Sequence, residues 1–95
     1  MTVYVVALIQ IEDRARYGAY ESGFMEIFER YEGKILAVDD DSHTLEGAWN
    51  HSRTVLLEFP DDAALQRWYH SEDYQALMQH RLAASTANLG VLQGR

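Results

Sequence analysis

The sequence predicts an α+β fold of the ferredoxin-like kind: βαββαβ, with a four-stranded antiparallel sheet and the helices on one face. Three observations carry this. The elements read in the order strand, helix, strand, strand, helical region, strand. The first strand, Thr2 to Ile11, is apolar on both of its faces. Finally, 95 residues carry eleven aromatic side chains, a large apolar load for so small an interior. Right-handed crossovers turn that order into a sheet with one face covered by helices. The second face of the first strand then needs a cover of its own. A second copy packed sheet against sheet supplies it, so the expected assembly is a homodimer forming a dimeric α/β barrel. The expected organisation is one domain spanning residues 1–95, because chains usually divide only beyond roughly 200 residues.

Each element follows from local chemistry. In the first strand Val3, Val5, Ala7, Ile9 and Ile11 form one face, and Tyr4, Val6, Leu8 and Gln10 the other. Asp13 is placed to cap a helix in which Tyr17, Tyr20, Phe24, Ile27, Phe28 and Tyr31 recur at steps of three and four. Gly18 and Gly23 weaken it by about 1 kcal/mol each relative to alanine and mark either close packing or tolerated weakness. Gly33 is the expected C-cap. Lys34 to Val38 predicts a second strand, and Asp39-Asp40-Asp41-Ser42 a solvated turn. Thr44 to Trp49 has strand-like composition with a bulge or turn at Gly47. Arg53 to Phe59 is a clear strand that Pro60 ends, with Arg53, Val55, Leu57 and Phe59 on one face and Thr54, Leu56 and Glu58 on the other. Asp61 or Asp62 caps a short helix carrying Trp68 and Tyr69, and Ser71 opens another with Tyr74, Leu77, Met78, Arg81 and Leu82 in its stripe. Leu89 to Gln93 is a last short strand.

Composition excludes several classes of function. Fifteen acids against eight bases give a net charge of −7, and Lys34 is the sole lysine. Such a surface repels phosphate backbones and anionic lipid, so no nucleic-acid or membrane partner is expected. Without cysteine, disulfides and thiolate metal sites are ruled out. His43, His51, His70 and His80 never fall at the i, i+4 spacing of helical metal ligands, and the Asp39–Asp41 run lacks the alternating ligands of a calcium loop. No metal and no cofactor is expected, there being no glycine-rich phosphate loop. The N-terminus lacks the basic start of a signal peptide, which makes cytoplasmic the expected location.

One set of residues carries a family resemblance. Leu45-Glu46-Gly47-x-Trp49, Arg53, Glu58-Phe59-Pro60, Trp68-Tyr69-x-Ser71-x-x-Tyr74-Gln75 and Arg81 together resemble domain-of-unknown-function family 1330, over nearly the whole chain. The run from Glu58 to Gln75 is the specific part. Two positions depart from the usual pattern: Glu32-Gly33 replaces a Gly-Gly pair, and Ala48 replaces an acid before the tryptophan. The resemblance implies the dimeric α/β-barrel superfamily, near cofactor-free monooxygenases, muconolactone isomerases and stress-response proteins. It implies no particular reaction.

Candidate site residues are therefore chosen for chemistry. Trp49, Trp68, Tyr69 and Tyr74 suit either an apolar pocket with polar handles or plain core and interface packing. Arg81 suits a substrate carboxylate or a salt bridge to Glu58 or Glu46. Arg53 and Glu58, five apart on one strand, point to opposite faces. Two functions are carried forward. In the first, a cofactor-independent small-molecule enzyme or binder uses Trp49, Arg53, Glu58, Trp68 and Arg81 to hold its ligand, with Tyr74 and His70 for proton transfer. In the second, the same residues build a non-catalytic homodimeric interaction module.

Overall fold

The computed structural model describes residues 1–95. The elements run β1 (Val3–Ile11), α1 (Arg14–Phe28), β2 (Lys34–Asp39), β3 (Arg53–Phe59), α2 (Asp62–Tyr69), α3 (Glu72–Ala84) and β4 (Ser85–Gln93). The strands form one antiparallel sheet in the order β2-β3-β1-β4, so the most apolar strand lies inside it. Val3, Val5, Ala7, Ile9 and Ile11 face the helices and are buried. They register with Phe59, Leu57 and Val55 of β3, which places that strand's odd-numbered residues on the same face.

Capping explains where the helices start. The Asp13 carboxylate accepts from the Arg16 N–H, the Asp61 carboxylate from the Ala64 N–H, and the Ser71 hydroxyl from the Tyr74 N–H. The α1 stripe buries Tyr17, Tyr20 and Phe28, while α2 and α3 bury Leu65, Trp68, Tyr74 and Met78. Together with the odd face of β1 these make one core. α3 passes into β4 with no residue between them. At that junction the carbonyl of Ala84 accepts from both the Glu12 and Asp13 N–H groups, at 2.8 and 2.9 Å.

Four expectations need correction. The first is the barrel: the sheet is open, with β2 and β4 as free edges, and the helices cover one face only. Consequently the other face of β1 is not sealed; Tyr4, Val6 and Leu8 are half-buried and Gln10 is exposed. Second, Thr44 to Trp49 is not a strand. It belongs to the loop between β2 and β3, where Gly47 sits at φ +76°, a left-handed conformation that glycine adopts without penalty. Third, α1 ends at Phe28 with Glu29 as its C-cap, and Tyr31 and Gly33 lie beyond it. Gly33 is required for space instead: a Cβ there would stand 2.5 Å from Phe28 and 2.8 Å from Phe59. Fourth, β4 begins at Ser85, because pairing with β1 extends through Ile11 opposite Ser85.

Candidate functional site

A cavity of about 200 Å³ lies between the helix-facing side of the sheet and the helices. Val5, Ala7 and Ile9 of β1 form its floor; Tyr20 and Phe24 of α1, Trp68 of α2, and Tyr74 and Arg81 of α3 are among its other walls. Helical geometry brings the last two together, since residues seven apart share a face. The walls are mainly apolar, and their polar groups concentrate in two places.

The first is buried. The Tyr20 and Tyr74 hydroxyls share a 2.7 Å hydrogen bond, with Tyr74 packed at 4.2 Å, ring to ring, on Trp68. Burial, reinforced by the Tyr74 hydroxyl, raises the Tyr20 pKa well above its ordinary value, so this phenol remains protonated at neutral pH. Arg81 is the one charged residue of the buried set, only 4% exposed, with its guanidinium carbon 5.9 Å from the Tyr20 ring centroid. Burial works to lower the Arg81 pKa, but the adjoining Tyr74 and Tyr20 phenols outweigh it and the net shift is upward. No carboxylate pairs with Arg81: the expected bridges to Glu58 and Glu46 are not formed.

The second polar group sits near the mouth and is fully paired. Arg53 donates through Nε and Nη2 to both oxygens of Asp40, at 2.6 and 2.9 Å, and its Nη1 lies 3.2 Å from Glu21. Its guanidinium also covers the Tyr17 ring at 5.3 Å. The hydrogen bonds from Arg53 hold the Asp40 carboxyl below its ordinary pKa, and those to Asp40 raise that of Arg53. Burial raises Tyr17, against the opposing pull of the Arg53 charge.

Four of the residues singled out in the sequence therefore meet at one cavity: Arg53, Trp68, Tyr74 and Arg81. The other four do not, and Tyr69 lines a second hollow instead. Glu58 lies on the open face of β3, opposite Tyr4 and Lys34 in register, and forms no ion pair. Trp49 is 40% exposed in the β2–β3 loop, donating to the Thr54 hydroxyl at 3.3 Å and packed on His51. His70 is the exposed C-cap of α2 and borders that second hollow, also about 200 Å³, which shares Trp68 but not the tyrosine pair. Tyr20 and Glu21 enter the site without having been singled out. A phenol inside an apolar helical stripe is the one sequence signal that pointed to Tyr20, since a buried hydroxyl needs a partner. No group of three or more His, Asp or Glu side chains gathers as metal ligands would, and no helix is long and apolar enough to cross a membrane.

An open α+β sheet with one helical layer and an apolar cavity between them defines a small ferredoxin-like protein. Residues 2–95 match the family described as Domain of unknown function (DUF1330), and the chain belongs to that family. No curated protein matches it. Among solved structures it is similar to a protein of unknown function from Rhodopseudomonas palustris, at 20% identity and a TM-score of 0.84, covering 99% of this chain and 82% of that one. It is also similar to SnoaB, a cofactor-independent oxygenase from Streptomyces nogalater, at 16% identity and a TM-score of 0.67, over 99% and 93% of the two chains. A dimeric ferredoxin-like protein of unknown function from Jannaschia sp. CCS1 is similar at 13% identity and a TM-score of 0.73, over 99% and 100%. At these identities the likeness is one of fold.

Proposed function

We propose that this protein is a homodimer of single-domain chains, each binding a small molecule in the cavity between sheet and helices and acting on it without a cofactor. The observation that carries this reading is the tyrosine pair: two phenols hydrogen-bonded at 2.7 Å in the wall of a mainly apolar cavity. Whichever phenol donates to the other, one O–H remains to face a ligand. With burial holding Tyr20 protonated, the pair serves as a hydrogen-bonding group for a ligand oxygen. The fold likeness to a cofactor-independent oxygenase supports chemistry of this kind.

Thermal-shift screening with aromatic and oxo-acid metabolites tests it. Hits are expected to raise Tm in the wild type and to vanish in Ala7→Leu, which fills the floor of the cavity at a cost of about 1–3 kcal/mol. An absence of hits, or hits that persist in folded Ala7→Leu, would count against the cavity.

The open sheet face supports the dimer of this reading, and equally that of a second one, a homodimeric interaction module without catalysis. Tyr4, Val6, Leu8 and Leu56 form an apolar centre that the helices leave half-exposed. The likeness to the dimeric ferredoxin-like protein from Jannaschia supports a second copy as the cover. Sedimentation at micromolar concentration is expected to give a dimer for the wild type and a monomer for Val6→Glu. A monomeric wild type would refute the dimer without touching the cavity.

A further inference from the structure

We infer that the ligand of the Tyr20–Tyr74 cavity is a small organic monoanion, a carboxylate on an apolar body about one ring in size, with Arg81 as its counterion. This rests on the cavity being a ligand site, and it adds the class of ligand.

The two arginines of the cavity differ in their charge partners. Arg53 has two carboxylates, those of Asp40 and Glu21. Arg81 is more deeply buried and has none. A buried guanidinium without a counter-charge is among the costlier arrangements in a folded chain, and the Tyr20 ring face and the neutral phenols of Tyr20 and Tyr74 offset only part of that. Glu21 is the single acid in the cavity wall, and it is engaged with Arg53.

Two buried side-chain polar atoms lack a hydrogen-bond partner, Nε of Arg81 and Nε1 of Trp68. Both are donors on residues that line the cavity, but the atoms themselves are closed off from it, and Trp68 also borders the second hollow. The Arg81 charge and the O–H left over by the tyrosine pair set what a ligand must bring, which is acceptors. A neutral hydrocarbon would bring none and an ammonium would be repelled. A carboxylate takes two donors at once and neutralises the arginine.

Size limits the remainder of the molecule. An apolar cavity of roughly 150 Å³ accepts benzene, so about 200 Å³ holds one ring together with its carboxylate. The net charge of −7 gives an anion no long-range attraction, so recognition is by contact inside the cavity.

Matched acid and amide pairs provide the test: benzoate with benzamide, phenylacetate with phenylacetamide, and cyclohexanecarboxylate with its carboxamide. Binding is followed at neutral pH through the indole N–H NMR resonance of Trp68. The wild type is expected to bind at least one acid roughly tenfold or more tightly than its amide, the scale of a charge-assisted pair. In Arg81→Gln the acid should fall to the level of the amide, and Arg81→Lys should keep part of the preference. Equal binding of acids and amides by the wild type would overturn the anion assignment and leave the cavity as a neutral-ligand site, a comparison that needs no variant to fold. If no probe moves the resonance, both the assignment and the cavity reading fall.

Discussion

Trp68→Ala is expected to destabilise the protein by about 3–5 kcal/mol, the range for deleting a large aromatic from a packed core. For a domain of this size that lowers Tm by at least ~12 °C, and it removes a large part of a total stability of roughly 5–15 kcal/mol. The indole is 1% exposed and meets Tyr74 at 4.2 Å, Phe28 and Phe59 at 5.5 Å, and Phe24 at 6.1 Å between ring centroids. It is also shared by the two hollows, so its loss opens space that its neighbours, each packed against other rings, are poorly placed to refill. Trp68→Phe keeps most of the volume and removes the unpartnered N–H, and is expected to cost less than ~1.5 kcal/mol. Urea denaturation of both variants measures the difference. A loss below about 1 kcal/mol for the alanine variant would mean that the ring cluster carries little of the stability.

Gly33→Ala is the second large effect, expected at about 1–3 kcal/mol from overpacking. The added methyl would meet the rings of Phe28 and Phe59, which are 2% and 0% exposed and cannot swing into solvent. Gly18→Ala serves as the opposite control. A Cβ there meets nothing within 4 Å, so helix propensity alone operates and a gain of up to ~1 kcal/mol is expected. The two midpoints in urea should move in opposite directions. Movement of both the same way would contradict the steric account of Gly33.

Those two glycines show where the sequence was informative. Strand faces were legible because alternation is a property of the chain itself: the odd residues of β1 share one face as expected, but which of its two apolar faces the helices bury was not legible. Asp13 and Ser71 were legible as caps because their partners lie three residues away. The constraint on Gly33 comes from how the rings of Phe28 and Phe59 come together in the core, which no local pattern shows. Thr44 to Trp49 had the composition of a strand, yet it pairs with none of the four strands and lies in the β2–β3 loop. The start of β4 was missed because Ser85 to Asn88 is too polar to announce a strand, and only its pairing with β1 makes it one. For the site, Arg53 and Arg81 were legible as candidates, but not their difference. That Arg53 has two acids and Arg81 none depends on where Asp40 and Glu21 come to rest, which no local pattern encodes.

The direct passage from α3 into β4 bears on how this protein diversifies. Arg81 stands one turn before a junction where the Ala84 carbonyl ties down the backbone of Glu12 and Asp13. An inserted or deleted residue there would turn every β4 side chain to the opposite face. The cationic end of the cavity is thus closed to length variation. At the other end, Asp40 opens a thirteen-residue loop from 40 to 52, and surface loops are where changes in length and sequence are generally accommodated. Descendants of this chain would keep one chemical handle and vary the shape around it, so that new specificity arises at the mouth while the deep arginine is inherited.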